Sequence, residues 1–267
     1  MMYMKQRHKK RAGLLVISLL FLCLLSEAFV WQMQMKKVKE TWQESMEEKM
    51  EDENRMQSEV KKIAYITFDD GPSQYTARIL DVLKMYHAPA TFFLIGTNIC
   101  EERKPVLMRM EKEGHAIGIH TYSHNAKEIY ASNESFQEDF MRAEEMLNRY
   151  FPNHKMNLYR FPWGSENAYL KPIEKGVFTW LREKKITYVD WNVSGEDSVG
   201  NPSGSQIFEN VKKDVTRFQE PVILLHDSSI NKNTVSILPC ILAYLQENGY
   251  QFQTITTMKN PYQFPKD

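Results

Sequence analysis

Two adjacent carboxylates, Asp69 and Asp70, end an apolar run in the sequence Thr67-Phe68-Asp69-Asp70-Gly71-Pro72. Like charges so close repel unless a cation compensates. A metal would resolve the repulsion, with one Asp ligating it and the other available as a base. Asp, Gly and Pro are equally ordinary turn residues, so the pair alone reads as a turn or as half a catalytic site. Further along stands His120-Thr121-Tyr122-Ser123-His124. Two His four apart can share one face of a helical turn and bind one metal. Asp70 with His120 and His124 makes a carboxylate-plus-two-imidazole set, which leaves positions open for water and substrate, as a catalytic Zn²⁺ requires. His8, His87, His115 and His154 lie outside these motifs and are assigned to structure or surface. Next comes Arg160-Phe161-Pro162-Trp163-Gly164, where the Arg suits a carboxylate partner at the first run. Trp163 offers either a flat face for a sugar or a simple packing surface. Asp190-Trp191-Asn192 and Gly195-Glu196-Asp197 come after it, then Leu224-Leu225-His226-Asp227. His226 suits a general acid, because imidazole titrates near neutrality.

These groups need a scaffold that gathers them. Apolar runs at Ile63–Phe68, Thr91–Ile95, Ala116–Ile119, Leu158–Phe161, Ile186–Trp191, Val222–Leu225 and Tyr250–Ile255 read as strands. Helical spacing appears at Tyr75–Tyr86, Pro105–Glu113, Glu134–Tyr150, Leu170–Lys184, Ser205–Arg217 and Val235–Asn248. Strands alternating with helices predict a parallel sheet or barrel of the (β/α) type, with about seven strands. No G-x-G-x-x-G or Walker loop comes after the first strand, which speaks against nucleotide binding. In such a barrel, functional residues sit at the C-terminal ends of strands, where all the polar motifs above fall.

In this order, the motifs Thr67–Pro72, His120–His124, Arg160–Gly164, Trp191–Asp197 and Leu224–His226 resemble the polysaccharide deacetylase family, carbohydrate esterase family 4, with its nodulation-type deacetylase domain. The resemblance covers about residues 63–255 and implies an α/β fold, a deformed (β/α) barrel. It implies that Asp69 is the catalytic base, held by Arg160, and that Asp70, His120 and His124 bind one divalent metal ion, Zn²⁺ first, with Co²⁺ or another ion as alternatives. The backbone N–H of Trp163 would help stabilise the oxyanion, Leu224 would line the acetyl-methyl pocket, and His226, tuned by Asp197, would be the general acid. The implied reaction is deacetylation of N-acetylglucosamine in a cell-wall polysaccharide, peptidoglycan before chitin oligomers, exopolysaccharide or acetylxylan. A non-catalytic glycan-binding protein is the contrasting class, but a decayed site should have lost one of these groups. Two departures stand out: Ser198 where the family often has Trp, and Phe-Pro-Trp-Gly where it often has Pro-Pro-Tyr-Gly.

The chain divides by composition into residues 1–31, 32–62 and 63–267. Lys5, Arg7, Lys9, Lys10 and Arg11 precede the apolar run Ala12–Leu25, a pattern that exports the chain downstream of it. Continued to Trp31, the run reaches about the 20 residues that span a bilayer, and predicts a membrane anchor with the catalytic part outside. Ser26-Glu27-Ala28 is the alternative, a cleavage site giving a secreted protein. Residues 32–62 have no Gly or Pro, and Trp31, Met35, Val38, Trp42 and Met46 form a narrow helical stripe. They read as a helical stalk able to self-associate, or as a solvated linker. Lys+Arg and Asp+Glu both count 34, so the chain lacks the basic excess of a nucleic-acid binder. Of 3 Cys, Cys23 lies in the apolar run, and Cys100 and Cys240 read as buried free thiols, with a disulfide as the alternative.

Overall fold

The computed structural model describes residues 30–50 and 61–265, together with Glu27. Two compact units divide between Val60 and Lys61. In the first, residues 30–50 form helix α1, exposed along its length. Its stripe residues Trp31, Met35, Val38, Trp42 and Met46 all face solvent. Among the described residues no helix is long and apolar enough to cross a membrane. Nearly all of the expected anchor, Ala12–Trp31, lies outside them.

The second unit is built on strands β1 (Lys62–Gly71), β2 (Ala90–Ile95), β3 (Ala116–Thr121), β4 (Leu158–Tyr159), β5 (Thr187–Tyr188), β6 (Val193–Ser194), β7 (Val222–His226) and β8 (Tyr250–Phe252). Their order is β5-β4-β3-β2-β1-β7-β6, with β8 added to the start of β1, and every pairing is parallel. Helices α2 (Thr76–Met85), α3 (Lys104–Lys112), α4 (Ala126–Ile129), α5 (Asn133–Tyr150), α6 (Glu174–Glu183), α7 (Gly204–Val215) and α8 (Lys232–Glu247) fill the crossovers. The result is a curled parallel sheet of the (β/α) type.

The alternation of each strand separates two cores. On one face Ile66, Phe68, Phe92, Leu94, Ile117, Ile119, Ile223 and Leu225 pack with helix residues such as Leu80, Leu107, Phe140, Val211 and Leu242. The opposite face turns inward: Tyr65, Phe93, Leu158, Val189, Val222 and Ile255 form a small second core inside the curl. Side chains of one face recur every second residue. The inward face of β1 therefore continues from Tyr65 through Thr67 to Asp69, and that of β7 from Val222 through Leu224 to His226. Gly118 lies on the inward face of β3; a Cβ there would meet the Phe93 ring at 2.7 Å. Strands buried on both faces explain the continuous apolar runs in the sequence.

The sheet departs from the expected barrel in one place. The run Ile186–Trp191 does not form one strand. Thr187–Tyr188 pairs with β4 on one edge, and Val193–Ser194 pairs with β7 on the other. Among the described residues the edge strands β5 and β6 do not pair, so the curl stays open and holds eight strands. The interruption has a cause in Arg160, which takes the carbonyls of Val189 and Asp190 for its own hydrogen bonds, at 2.9 and 3.0 Å. Helix α6 also starts later than the periodicity predicts, at Glu174. Pro172 disfavours helical backbone at Lys171, so residues before it form turns. Cys100 and Cys240 are free, but contrary to the expectation Cys100 is only half-buried and Cys240 is exposed.

Candidate active site

Asp69 and Asp70 end β1, and the turn sends them to different places. Asp69 keeps the inward direction and is buried, accepting from Arg160 Nη1 at 3.0 Å. Asp70 has φ 73°, a left-handed conformation that swings its carboxylate toward the end of β3. There its Oδ1 lies 3.5 Å from His120 Nε2 and 3.4 Å from His124 Nε2. His124 (φ 53°) and Trp163 (φ 64°) are also left-handed. Non-glycine residues in this region cost of order 1–3 kcal/mol each and gather at functional sites.

The proton count at this triad is decisive. His120 Nδ1 lies 2.8 Å from the Arg160 carbonyl oxygen, which can only accept, so Nδ1 carries the proton in the neutral ring. Its Nε2 is then a bare lone pair aimed at a carboxylate oxygen. Asp70 Oδ1 is buried and has no hydrogen-bond donor. One ligand atom from each of Asp70, His120 and His124 lies within 4.8 Å of the others. Acceptors facing acceptors in a buried place fit a cation. The donor set, one carboxylate and two imidazoles, suits Zn²⁺ or a similar divalent ion. Burial, and then the neighbouring His120, lower the pKa of His124 against the opposing pull of Asp70 and Asp69, which favours the neutral ring that a metal needs.

Arg160 is wholly buried inside the curl. Its guanidinium donates to Val189 O, Asp190 O, Thr67 Oγ1 (2.6 Å) and Asp69 Oδ1, and lies over the Phe93 ring at 4.3 Å. It thus links β1, β4 and the bridging segment after β5. Arg160→Met should lower the unfolding free energy by about 3–5 kcal/mol, because it leaves Asp69 buried without its partner. Urea denaturation measures this. Arg160→Lys should recover only part of it, since an ammonium cannot reproduce the planar fork.

His226 ends β7 across from Asp69, with which it is in register. Its Nδ1 lies 2.7 Å from Asp197 Oδ1. Asp197 also accepts from the His226 N–H at 2.9 Å and from Thr234 Oγ1 at 2.6 Å, while Asn231 Nδ2 donates to the Asp197 carbonyl at 2.8 Å. Burial works against a charge on His226. The hydrogen bond and charge of Asp197, with the charges of Asp69 and Asp70, outweigh it and raise the pKa to about 9. Ser198 is exposed, and the wall of this dyad is built from Asn231 and Thr234. Leu224, two residues before His226 on the same face, is buried. Trp163 occupies the third position of a turn closed by Gly164 N–H to Phe161 O at 2.9 Å, with Pro162 setting the second.

Three supporting aspartates have roles that the sequence leaves unassigned, although Asp190 and Asp227 stand within or beside the strand-end motifs. Asp139, on α5, accepts from Thr121 Oγ1 and from the N–H groups of Tyr122 and Ser123, and so fixes the His120–His124 loop. Its place on the apolar stripe with Phe136, Phe140, Ala143 and Leu147 is the signal that marks it. Asp190 accepts from Ser165 N–H and Oγ and from Phe264 N–H, anchoring the Trp163 loop. Asp227 accepts from Ser73 and Thr76, each at 2.5 Å, and tethers the turn after β1 to the end of β7. Burial pushes Asp227 up to about 6 despite those bonds.

A buried carboxylate, an imidazole across from it and a triad whose donors suit a cation, all at the C-terminal ends of parallel strands, supply the groups that metal-assisted hydrolysis requires. A family model described as polysaccharide deacetylase matches residues 56–176. A peptidoglycan-N-acetylglucosamine deacetylase of Bacillus cereus is 36% identical over 205 residues, spanning 75% of this chain and 71% of that protein. Among solved structures, the catalytic domain of a peptidoglycan N-acetylglucosamine deacetylase from Eubacterium rectale superposes with a TM-score of 0.69 at 34% identity, covering 76% of this chain and 93% of that one. The polysaccharide deacetylase Bc1974 from Bacillus cereus gives 0.68 at 32% identity, covering 76% and 97%. The chain belongs to the polysaccharide deacetylase family. It is a hydrolase of carbon–nitrogen bonds.

Proposed function

We propose that this chain removes N-acetyl groups from N-acetylglucosamine units of peptidoglycan, using one divalent ion, Zn²⁺ first, held by Asp70, His120 and His124. The observation that carries the metal is Asp70 Oδ1, buried without a donor between two imidazole nitrogens. The substrate rests on the relatives' activities and on the exported character of the sequence. A cation bound there supplies Lewis acidity, polarising the amide carbonyl and acidifying water. Asp69, oriented by Arg160, takes the proton of the attacking water. The backbone N–H of Trp163 donates to the developing oxyanion. Leu224 flanks the acetyl methyl. His226, protonated and held by Asp197, gives its proton to the leaving nitrogen, which otherwise departs poorly. The products are acetate and a free amine on the sugar.

The basic start and the apolar run Ala12–Leu25 support an outward-facing, membrane-tethered enzyme, which suits a wall substrate. Sequencing the mature N-terminus from membranes separates this from cleavage after Ala28, which would leave Phe29 first.

Acetate release from peptidoglycan, chitin oligomers and acetylxylan tests the reading. Treatment with a chelator should reduce release from peptidoglycan to background, and added Zn²⁺ should restore it. Full activity in the stripped protein would overturn the metal assignment. Release from acetylxylan alone would overturn the substrate.

A further inference from the structure

Among the described residues β5 and β6 do not pair, so the curl is open along residues 189–192. Residues 261–265, Pro-Tyr-Gln-Phe-Pro, lie along that opening. A proline disfavours helical backbone in the residue before it, so Pro261 and Pro265 keep Asn260 and Phe264 extended. Asp190 N–H donates to Tyr262 O at 2.8 Å, Gln263 Nε2 to Tyr188 O at 3.1 Å, and Phe264 N–H to Asp190 Oδ2 at 2.8 Å. Side chains alternate along extended backbone. Tyr262 packs on the inner core, Gln263 is exposed, and Phe264 turns back toward the protein.

This segment reaches the Trp163 turn by two routes. The first is the Asp190 carboxylate, wholly buried, which accepts from Phe264 N–H on one side and from Ser165 N–H and Oγ on the other. The second is direct. A Cβ on Gly164 would stand 2.7 Å from the Phe264 ring and 3.1 Å from the Trp191 ring, so both rings press on the glycine. They also pack edge to face, with centroids 5.0 Å apart. Gly164 N–H closes the turn that holds Trp163 at φ 64°. A non-glycine residue in that region persists only where its surroundings fix it. Asn167 braces the turn from within its own loop, donating to Pro162 O and Gly164 O. Phe264 braces it from a segment about 100 residues further along the chain.

We infer that residues 262–264 are a strap across the open side of the curl, and that Phe264 holds the Trp163 turn so that its backbone N–H meets the oxyanion. The inference rests on the deacetylase reading above. Phe264 is a positioning residue, acting through Gly164, and takes no part in bond breaking.

The test compares the full-length, zinc-loaded protein with its Phe264→Ala and Phe264→Leu variants on a soluble N-acetylglucosamine pentamer. Rates are taken per folded molecule, with the folded fraction from urea unfolding. Phe264→Ala should lower kcat about tenfold, as expected when an oxyanion donor is displaced but not removed. KM and zinc content should be unchanged, because the ligands Asp70, His120 and His124 lie on other elements. The factor should be the same at every pH, since no charge is altered. Phe264→Leu, which keeps an apolar side chain against Gly164, should recover most of the rate. Amide hydrogen exchange gives a readout without activity: residues 163–165 should exchange about tenfold faster in Phe264→Ala. Unchanged exchange overturns the strap. Faster exchange with unchanged kcat, or a loss carried by KM or by zinc, overturns the positioning role. If the parent releases no acetate, faster exchange in Phe264→Ala sustains the hold on the turn while the deacetylase reading fails.

Discussion

Asp69→Asn should cut kcat for acetate release by about 10²–10⁴-fold, the range lost when a positioned general base is removed. The amide is nearly isosteric and can still accept from Arg160 Nη1, now 3.0 Å from Asp69 Oδ1. What it cannot do is take a proton from water. KM should change little, because Asp69 is assigned to the proton of the attacking water and to no sugar contact, and Asn keeps its shape. Metal affinity is the control. The assigned ligand is Asp70, so Asp69→Asn should still bind Zn²⁺, whereas Asp70→Asn should weaken it strongly. Steady-state kinetics with metal content measured on the same samples decide it. Activity retained in Asp69→Asn would remove Asp69 from the chemistry. Parallel loss of metal in both variants would show that the two carboxylates act as one ligand set.

That division of labour between two neighbouring Asp residues is only half visible in the sequence. The pair, its position after an apolar run and the later His-x-x-x-His spacing are local features, and local patterns are legible. The left-handed turn at Asp70, which sends one carboxylate inward to Arg160 and the other to the imidazoles, is set by contacts distant in sequence. The strand run Ile186–Trp191 shows the same limit. Its β-forming residues predict one strand, but the buried Arg160 guanidinium outcompetes ladder pairing for the Val189 and Asp190 carbonyls. A charged group with no water to satisfy it takes acceptors from the nearest backbone. Asp139, Asp190 and Asp227 are hidden for a related reason. Each holds a loop from an element remote in sequence, and nothing in its own neighbourhood marks its target.

Asp197→Asn should have the second large effect, and its signature is in pH. Burial alone lowers the pKa of His226; Asp197 does most to reverse this, and the result is about 9. Asparagine can still accept from Nδ1–H but contributes no charge, so burial should carry the pKa below its ordinary value near 6.5. The acid form then becomes scarce at pH 7.5. The rate there should fall by about tenfold or more, and the loss should lessen toward pH 6. The basic limb of the kcat profile should move to lower pH by more than one unit. In the parent, a bound cation offsets the charges of Asp69 and Asp70, so its limb should lie between about 6.5 and 9. Stability gives an independent reading on metal-free protein. The folded pKa is raised, so protonated His226 stabilises the fold fully below about 6.5, and this contribution is lost as pH rises through about 9. The linkage amounts to about 3 kcal/mol. Urea unfolding across that range should show the decline in the parent and not in Asp197→Asn. A variant whose rate falls equally at every pH, with unchanged linkage, would mean that Asp197 only positions the imidazole and does not set its charge.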